Sequence, residues 1–151
     1  MRIELIQLIT AFLGSLGFAL IFNLGKKHIV PGSIGGILCW GAYLLIDFAS
    51  SGVFFSSLVA SAVAALYAEI AARFLKVPAT VIFVSAIIPL IPGSSLFYTM
   101  SYAVSGDAHL FGEYGMNTLN YILGITCGIS LVWSMWYMIT KIYRIYITKC
   151  E

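Results

Sequence analysis

Pro89-Leu90-Ile91-Pro92-Gly93-Ser94-Ser95 interrupts residues 77–104, a run as apolar on either side as a membrane helix. Two prolines three residues apart, followed by glycine, cannot continue a helix. Each removes a backbone donor and sets its ring against the preceding turn. In a bilayer core no water satisfies the freed groups. Irregular backbone survives there only against protein or a wet cavity. A helix break at membrane depth is therefore a candidate binding site.

The rest of the chain supports the membrane reading. Hydrophobic residues make up 61% of the 151 residues and charged ones 9%. Soluble domains carry roughly 25% charge. Spans need about 20 apolar residues, and five segments qualify, at residues 3–22, 30–48, 54–74, 77–104 and 117–142. The expected fold is all-α integral membrane, one transmembrane domain over residues 1–151, with the fourth of five helices broken at Pro89 to Gly93. The first run is long enough to span and has Glu4 near its start, so it reads as a retained helix, not a signal peptide. Pro31-Gly32 reads as the entrance to the second span and Ser50-Ser51-Gly52 as the turn after it. Residues 105–115 read as the longest loop.

Charge placement gives an orientation. Lys26, Lys27, Arg73, Lys76, Lys141, Arg144 and Lys149 follow the odd-numbered spans, while Asp47, Asp107 and Glu113 follow the even ones. The positive-inside rule then puts the N-terminus outside and the C-terminus in the cytoplasm. A re-entrant hairpin at 77–104 would leave the basic tail outside. A single interrupted pass fits better, with its break near the midplane.

The half-helix that starts near Ser94 would aim unbonded N–H groups and its positive dipole end at the bilayer centre. Secondary transporters hold anionic substrate groups in this way. Ser94 and Ser95 are good N-cap residues, and Tyr98, Thr99 and Ser101 could add polar contacts. The plainer reading is a proline kink satisfied by neighbouring helices. Small residues form stripes at Ala60, Ala64, Ala68 and Ala72, beside Ser57, Ser61 and Ala65; at Ala11, Ser15, Ala19 and Asn23; and at Asn120, Gly124 and Gly128. In lipid such stripes let backbones approach closely.

Glu69 is the one acid well inside a span. With Arg73 one turn on, it reads as an i,i+4 pair near the cytoplasmic interface. The functional alternative is a proton or cation coupling site. A depth of only about 7 Å by helical rise favours the pair. His109 and Glu113, with Asp107, make a weak metal pattern and read as a solvated loop. Cys39, Cys127 and Cys150 have neither disulfide nor zinc spacing. Trp133, Trp136, Tyr137, Tyr143 and Tyr146 resemble an interfacial aromatic belt. No catalytic or nucleotide-binding motif is present, so neither an enzyme nor a cofactor is expected, and nucleic acid is not an expected partner.

Three patterns together resemble the threonine/serine exporter family. They are Gly17-Phe18-Ala19-Leu20-Ile21-Phe22-Asn23, Gly32-Ser33-Ile34-Gly35, and Ile88 to Ser95 followed by Tyr98 and Met100. Order, spacing and length are similar to the shorter subunit of the two-component form, which corresponds to the C-terminal half of the fused exporters. The resemblance implies export of threonine, serine or related small carboxylates in the cell (plasma or inner) membrane, driven by a proton or cation gradient, with a larger multi-span partner subunit. The substrate site would comprise Pro89, Pro92, Gly93, Ser94, Ser95 and Tyr98, with Asn23 and Asn117 or Asn120 as secondary contacts. Glu69 and Arg73 would carry coupling. Export of small dicarboxylates, a non-transporting assembly scaffold and a homo-oligomeric channel are the alternatives.

Overall fold

The computed structural model describes residues 2–50 and 52–148, with side chains over residues 3–49 and 52–142. The expected positions of Ser51, Lys149 and Cys150, and the side chains of Tyr143, Arg144 and Tyr146, lie outside the described residues. Six α-helices follow in order: α1 (Arg2–Ile21), α2 (Lys26–Ser50), α3 (Val53–Leu75), α4 (Ala79–Ile87), α5 (Gly93–Ser105) and α6 (Ala108–Thr148). A 3-10 turn (Ile88–Leu90) extends α4. Four helices are long and apolar enough to cross a membrane. The pair Ala79–Leu90 and Gly93–Ser105, bent by 58°, makes a fifth candidate.

Helix ends follow from local chemistry. At the end of α1, Asn23 takes a left-handed conformation (φ 52). Its N–H bonds the Leu20 carbonyl and the Leu24 N–H bonds the Ala19 carbonyl, each at 3.0 Å. This is the double bond that closes a helix C-terminus. Gly106 (φ 78) closes α5, and Asp107 caps α6, its Oδ1 accepting the Leu110 N–H at 3.1 Å.

That cap corrects one expectation. The loop expected over residues 105–115 is only Gly106 and Asp107, and α6 begins at Ala108. A second boundary also moves. The second span does not enter at Pro31-Gly32, because α2 starts at Lys26 and Pro31 lies inside it. So near the start, proline costs the helix one bond, to the Lys27 carbonyl. The Pro31 carbonyl in turn accepts the Tyr67 hydroxyl at 2.8 Å.

Small residues set the packing. Ala60, Ala64, Ala65, Ala68 and Ala72 of α3 are all buried, as are Ala11, Ser15 and Ala19 of α1. Gly124 and Gly128 of α6 lie on Ser57 and Ser61 of α3, so close that a Cβ at Gly124 would stand 2.6 Å from the Phe54 carbonyl oxygen. These pairings make α3 and α6 parallel, with the start of α3 level with about residue 120. The first twelve or so residues of α6 therefore project about 18 Å past α3. α5 packs along that projection and, among the described residues, on no other helix. Thr99 and Thr118, both buried, place their hydroxyls 3.2 Å apart across this hairpin. Tyr98, Tyr102 and Tyr114 stack beside them with ring centroids 5.3 to 6.3 Å apart.

α4 is held from the other side. Gly32 and Gly35 of α2 face Ser85 and Ala86, and a Cβ at Gly35 would come 2.7 Å from the Ala86 Cβ. The Gly32-Ser33-Ile34-Gly35 motif is thus the seat of the first limb of the broken helix. Phe83 also meets Trp133, centroids 5.4 Å apart.

Candidate functional site

Pro89 and Pro92 have no N–H to offer the carbonyls of Ser85 and Ile88, so the helical ladder stops. The Ile91 N–H turns back to the Ile88 carbonyl at 3.2 Å, and the Gly93 N–H to the Ile91 carbonyl at 2.8 Å. α5 opens with Pro92 as N-cap, two positions earlier than a cap at Ser94 would give, and no side chain caps it. Its first helical bond runs from the Leu96 N–H to the Pro92 carbonyl at 3.0 Å. The N–H groups of Ser94 and Ser95 find no partner among the described residues. A Cβ on Gly93 would meet nothing within 4 Å; Ser94 is exposed and Ser95 half-buried.

Pro89, where the break begins, is level with the middle of α1 and α2. Pro89 lines a cleft of about 210 Å3 with Gln7, Thr10 and Ala11 from the middle of α1 and Trp40 from the middle of α2. The Thr10 hydroxyl is turned to the Ile6 and Gln7 carbonyls. The Trp40 Nε1 is buried without a hydrogen-bond partner. The Trp40 ring stacks on Tyr43 (5.0 Å), whose hydroxyl lies 2.6 Å from that of Tyr121.

The expected site residues separate into groups. Pro89, Pro92, Gly93, Ser94 and Ser95 form the break itself. Tyr98 is turned to the tyrosine stack on the hairpin, and Thr99 faces α6. Asn120 is half-buried on α6, its side chain without a partner among the described residues, and Asn117 is exposed. Asn23 is exposed at the far end of α1, where its backbone closes the helix.

Glu69 and Arg73 do not form the expected pair. The Arg73 guanidinium lies 4.5 Å over the Trp136 ring, a cation–π contact that draws it off its own helix. Glu69, half-buried, has no partner among the described residues. Trp133 and Trp136, expected in an aromatic belt, pack on the chain's own Phe83 and Arg73. No cluster of metal-binding side chains occurs among the described residues, His109 and Glu113 included. Cys39 is buried, its thiol 3.6 Å from the Ala60 carbonyl, and Cys127 is exposed.

Gln7, Thr10 and Trp40 were not singled out from the sequence. The signal was available: Gln7 and Thr10 are polar residues three apart, on one face of a largely apolar helix.

Apolar helices enough for four or five crossings, one of them a bent pair with unbonded amides at its break, describe a helical membrane protein with an interrupted span. Residues 7–135 match the family described as Threonine/Serine exporter, ThrE. The chain belongs to the threonine/serine exporter family. Neither a curated protein nor a solved structure matches it.

Proposed function

We propose that this chain is a subunit of a secondary-active exporter of threonine and serine in the cell membrane. It would form one transmembrane unit with its N-terminus outside and its C-terminus in the cytoplasm, and work with a larger partner subunit. The observation that carries the reading is the unbonded pair of N–H groups at Ser94 and Ser95, at a break level with the middle of α1 and α2. A helix N-terminus attracts a carboxylate through these donors and its dipole. Pro89 and Pro92 hold the ladder open, and Gly93 leaves room for the anion to approach the backbone.

The partner is supported by α5, which among the described residues leans on α6 alone and has its remaining faces uncovered. Coupling to a proton or cation gradient is assigned to Glu69, because Arg73 is engaged by Trp136 and leaves that carboxylate unpaired. Tyr98 and Asn120 would contact substrate only after the hairpin moves. Asn23 acts at a distance, through the end of α1.

The test is efflux of preloaded threonine and serine from cells expressing the chain with its partner. Gly93→Leu and Ser94→Ala should each slow efflux and weaken affinity. Unchanged efflux and affinity in both would remove the break as the site. A small dicarboxylate in place of the amino acid would appear in the same assay as a competing substrate.

A further inference from the structure

The α5–α6 hairpin joins the rest of the molecule at two roots. The first is the 3-10 turn, which rests on α1, α2 and α3. The second lies near Tyr121, where α6 leaves the start of α3. Between the roots, α5 packs on α6 alone among the described residues. The hairpin holds itself together through the buried Thr99–Thr118 contact and the stack of Tyr98, Tyr102 and Tyr114. It is one body on two attachments.

Both attachments meet side chains of α2. At the first root, Trp40 and Pro89 line the same cleft. The Trp40 ring stacks on Tyr43 at 5.0 Å and 15°, and Tyr43 stacks on Tyr121 of the second root at 5.9 Å and 16°. Three nearly parallel rings thus run from one root to the other. One polar contact closes the series, the Tyr43 and Tyr121 hydroxyls 2.6 Å apart.

Neither root is stiff. Ile91 (φ -64, ψ 121) and Pro92 (φ -78, ψ 61) are non-helical, and a long helix such as α6 bends without breaking. The grip next to the second root is of a different kind. Gly124 and Gly128 meet the backbone of α3 directly, and parting them would open the core. A neutral hydroxyl pair is worth only about fivefold in an equilibrium, so it can break while the glycine contacts hold.

We infer that the Tyr43–Tyr121 contact is the latch of a hinged hairpin, with both tyrosines as positioning residues for the break. Latched, the hairpin keeps the position seen here. Released, residues 93–120 swing as one body and turn the unbonded Ser94 and Ser95 amides with them. A bend of about 10° on an arm of about 18 Å moves the tip by about 3 Å. The use of this motion rests on the exporter reading above; the motion itself does not.

The test is a spin-label distance measurement on the full chain in lipid nanodiscs. Labels go on Ser105→Cys, at the hairpin tip, and Ala49→Cys, at the end of α2, with Cys127→Ser and Cys150→Ser. Tyr43→Phe and Tyr121→Phe keep the rings and lose the bond. Each should raise the share of displaced tips about fivefold, and the double variant should match either single one, because all three lose the same bond. Tyr102→Phe, which removes a hydroxyl inside the hairpin, should match the wild type. A second label pair at Ala49 and Phe74, within the bundle, should keep its distance throughout. Unchanged tip distances in both tyrosine variants would overturn the latch. So would effects that add in the double variant, an equal shift in Tyr102→Phe, or a shift of the bundle pair, which would mark the tyrosines as structural. No substrate enters the measurement, so its failure leaves the exporter reading standing, and a failed efflux test leaves the latch standing.

Discussion

Gly35→Ala tests how the broken helix is seated. The added methyl would lie 2.7 Å from the Ala86 Cβ and 3.0 Å from the Tyr67 ring. Carbon atoms rest at about 3.5 to 4.0 Å, so α4 must retreat by about 0.8 Å or more, or Tyr67 must leave its bond to the Pro31 carbonyl. Overpacking of this kind costs about 1–3 kcal/mol. The 3-10 turn and the start of α5 move with α4, and a misplacement near 1 Å can cost about 100-fold in rate. The assay pairs thermal unfolding of the purified chain with threonine efflux. Gly35→Ala should lower both, efflux more steeply. Ala86→Gly, added to it, should recover most of the loss, since the obstacle is a side chain; the recovery is the coupling between the two positions. A Gly35→Ala chain as stable and as active as the wild type would refute the seating of α4 on α2.

Gly124→Leu should destabilise by a similar 1–3 kcal/mol, read as a lower melting temperature. No side-chain deletion in α3 should rescue it fully, because the obstacle includes the Phe54 backbone carbonyl. Asp107→Ala removes the cap on the Leu110 N–H and should cost about 1 kcal/mol, with Asp107→Asn costing less; denaturant or thermal unfolding reads the difference. Trp136→Leu should release Arg73 to pair with Glu69 one turn back. Such a pair is worth about 0.2–0.5 kcal/mol, so efflux should fall roughly twofold, while Trp136→Phe, which keeps a ring face under the guanidinium, should stay near wild type. An unchanged rate in Trp136→Leu would separate Glu69 from coupling.

Much of the fold was legible because it rests on rules that act within a few residues. The P-x-x-P-G run specifies the break through missing donors. The Ala60 to Ala72 and Ala11 to Ala19 stripes name the buried faces. Gly124 and Gly128 mark where α6 must approach another backbone. Boundaries that depend on tertiary partners were not legible. The Tyr67 hydroxyl that serves the Pro31 carbonyl comes from α3, and the Thr99–Thr118 contact that steadies the first turns of α6 comes from α5. The expected Glu69–Arg73 pair failed for the same reason, since Trp136 is 63 positions from Arg73 in the chain yet lies beneath its guanidinium. At the site, the backbone donors could be read from proline and glycine alone. The cleft could not, because its walls come from α1, α2 and the 3-10 turn together.

The most direct measurement on the break is accessibility of a thiol at its open end. Ser94→Cys would be placed in a chain carrying Cys127→Ser and Cys150→Ser, with buried Cys39 kept. It would then be labelled with a small, water-soluble, membrane-impermeant thiol reagent, in the presence and absence of L-threonine. The account predicts that position 94 labels from water, despite its place in an apolar run, and that threonine slows labelling in a saturable way while L-leucine does not. A position that fails to label, or that labels at the same rate whatever the threonine concentration, would contradict the central claim that the broken helix opens onto the substrate path.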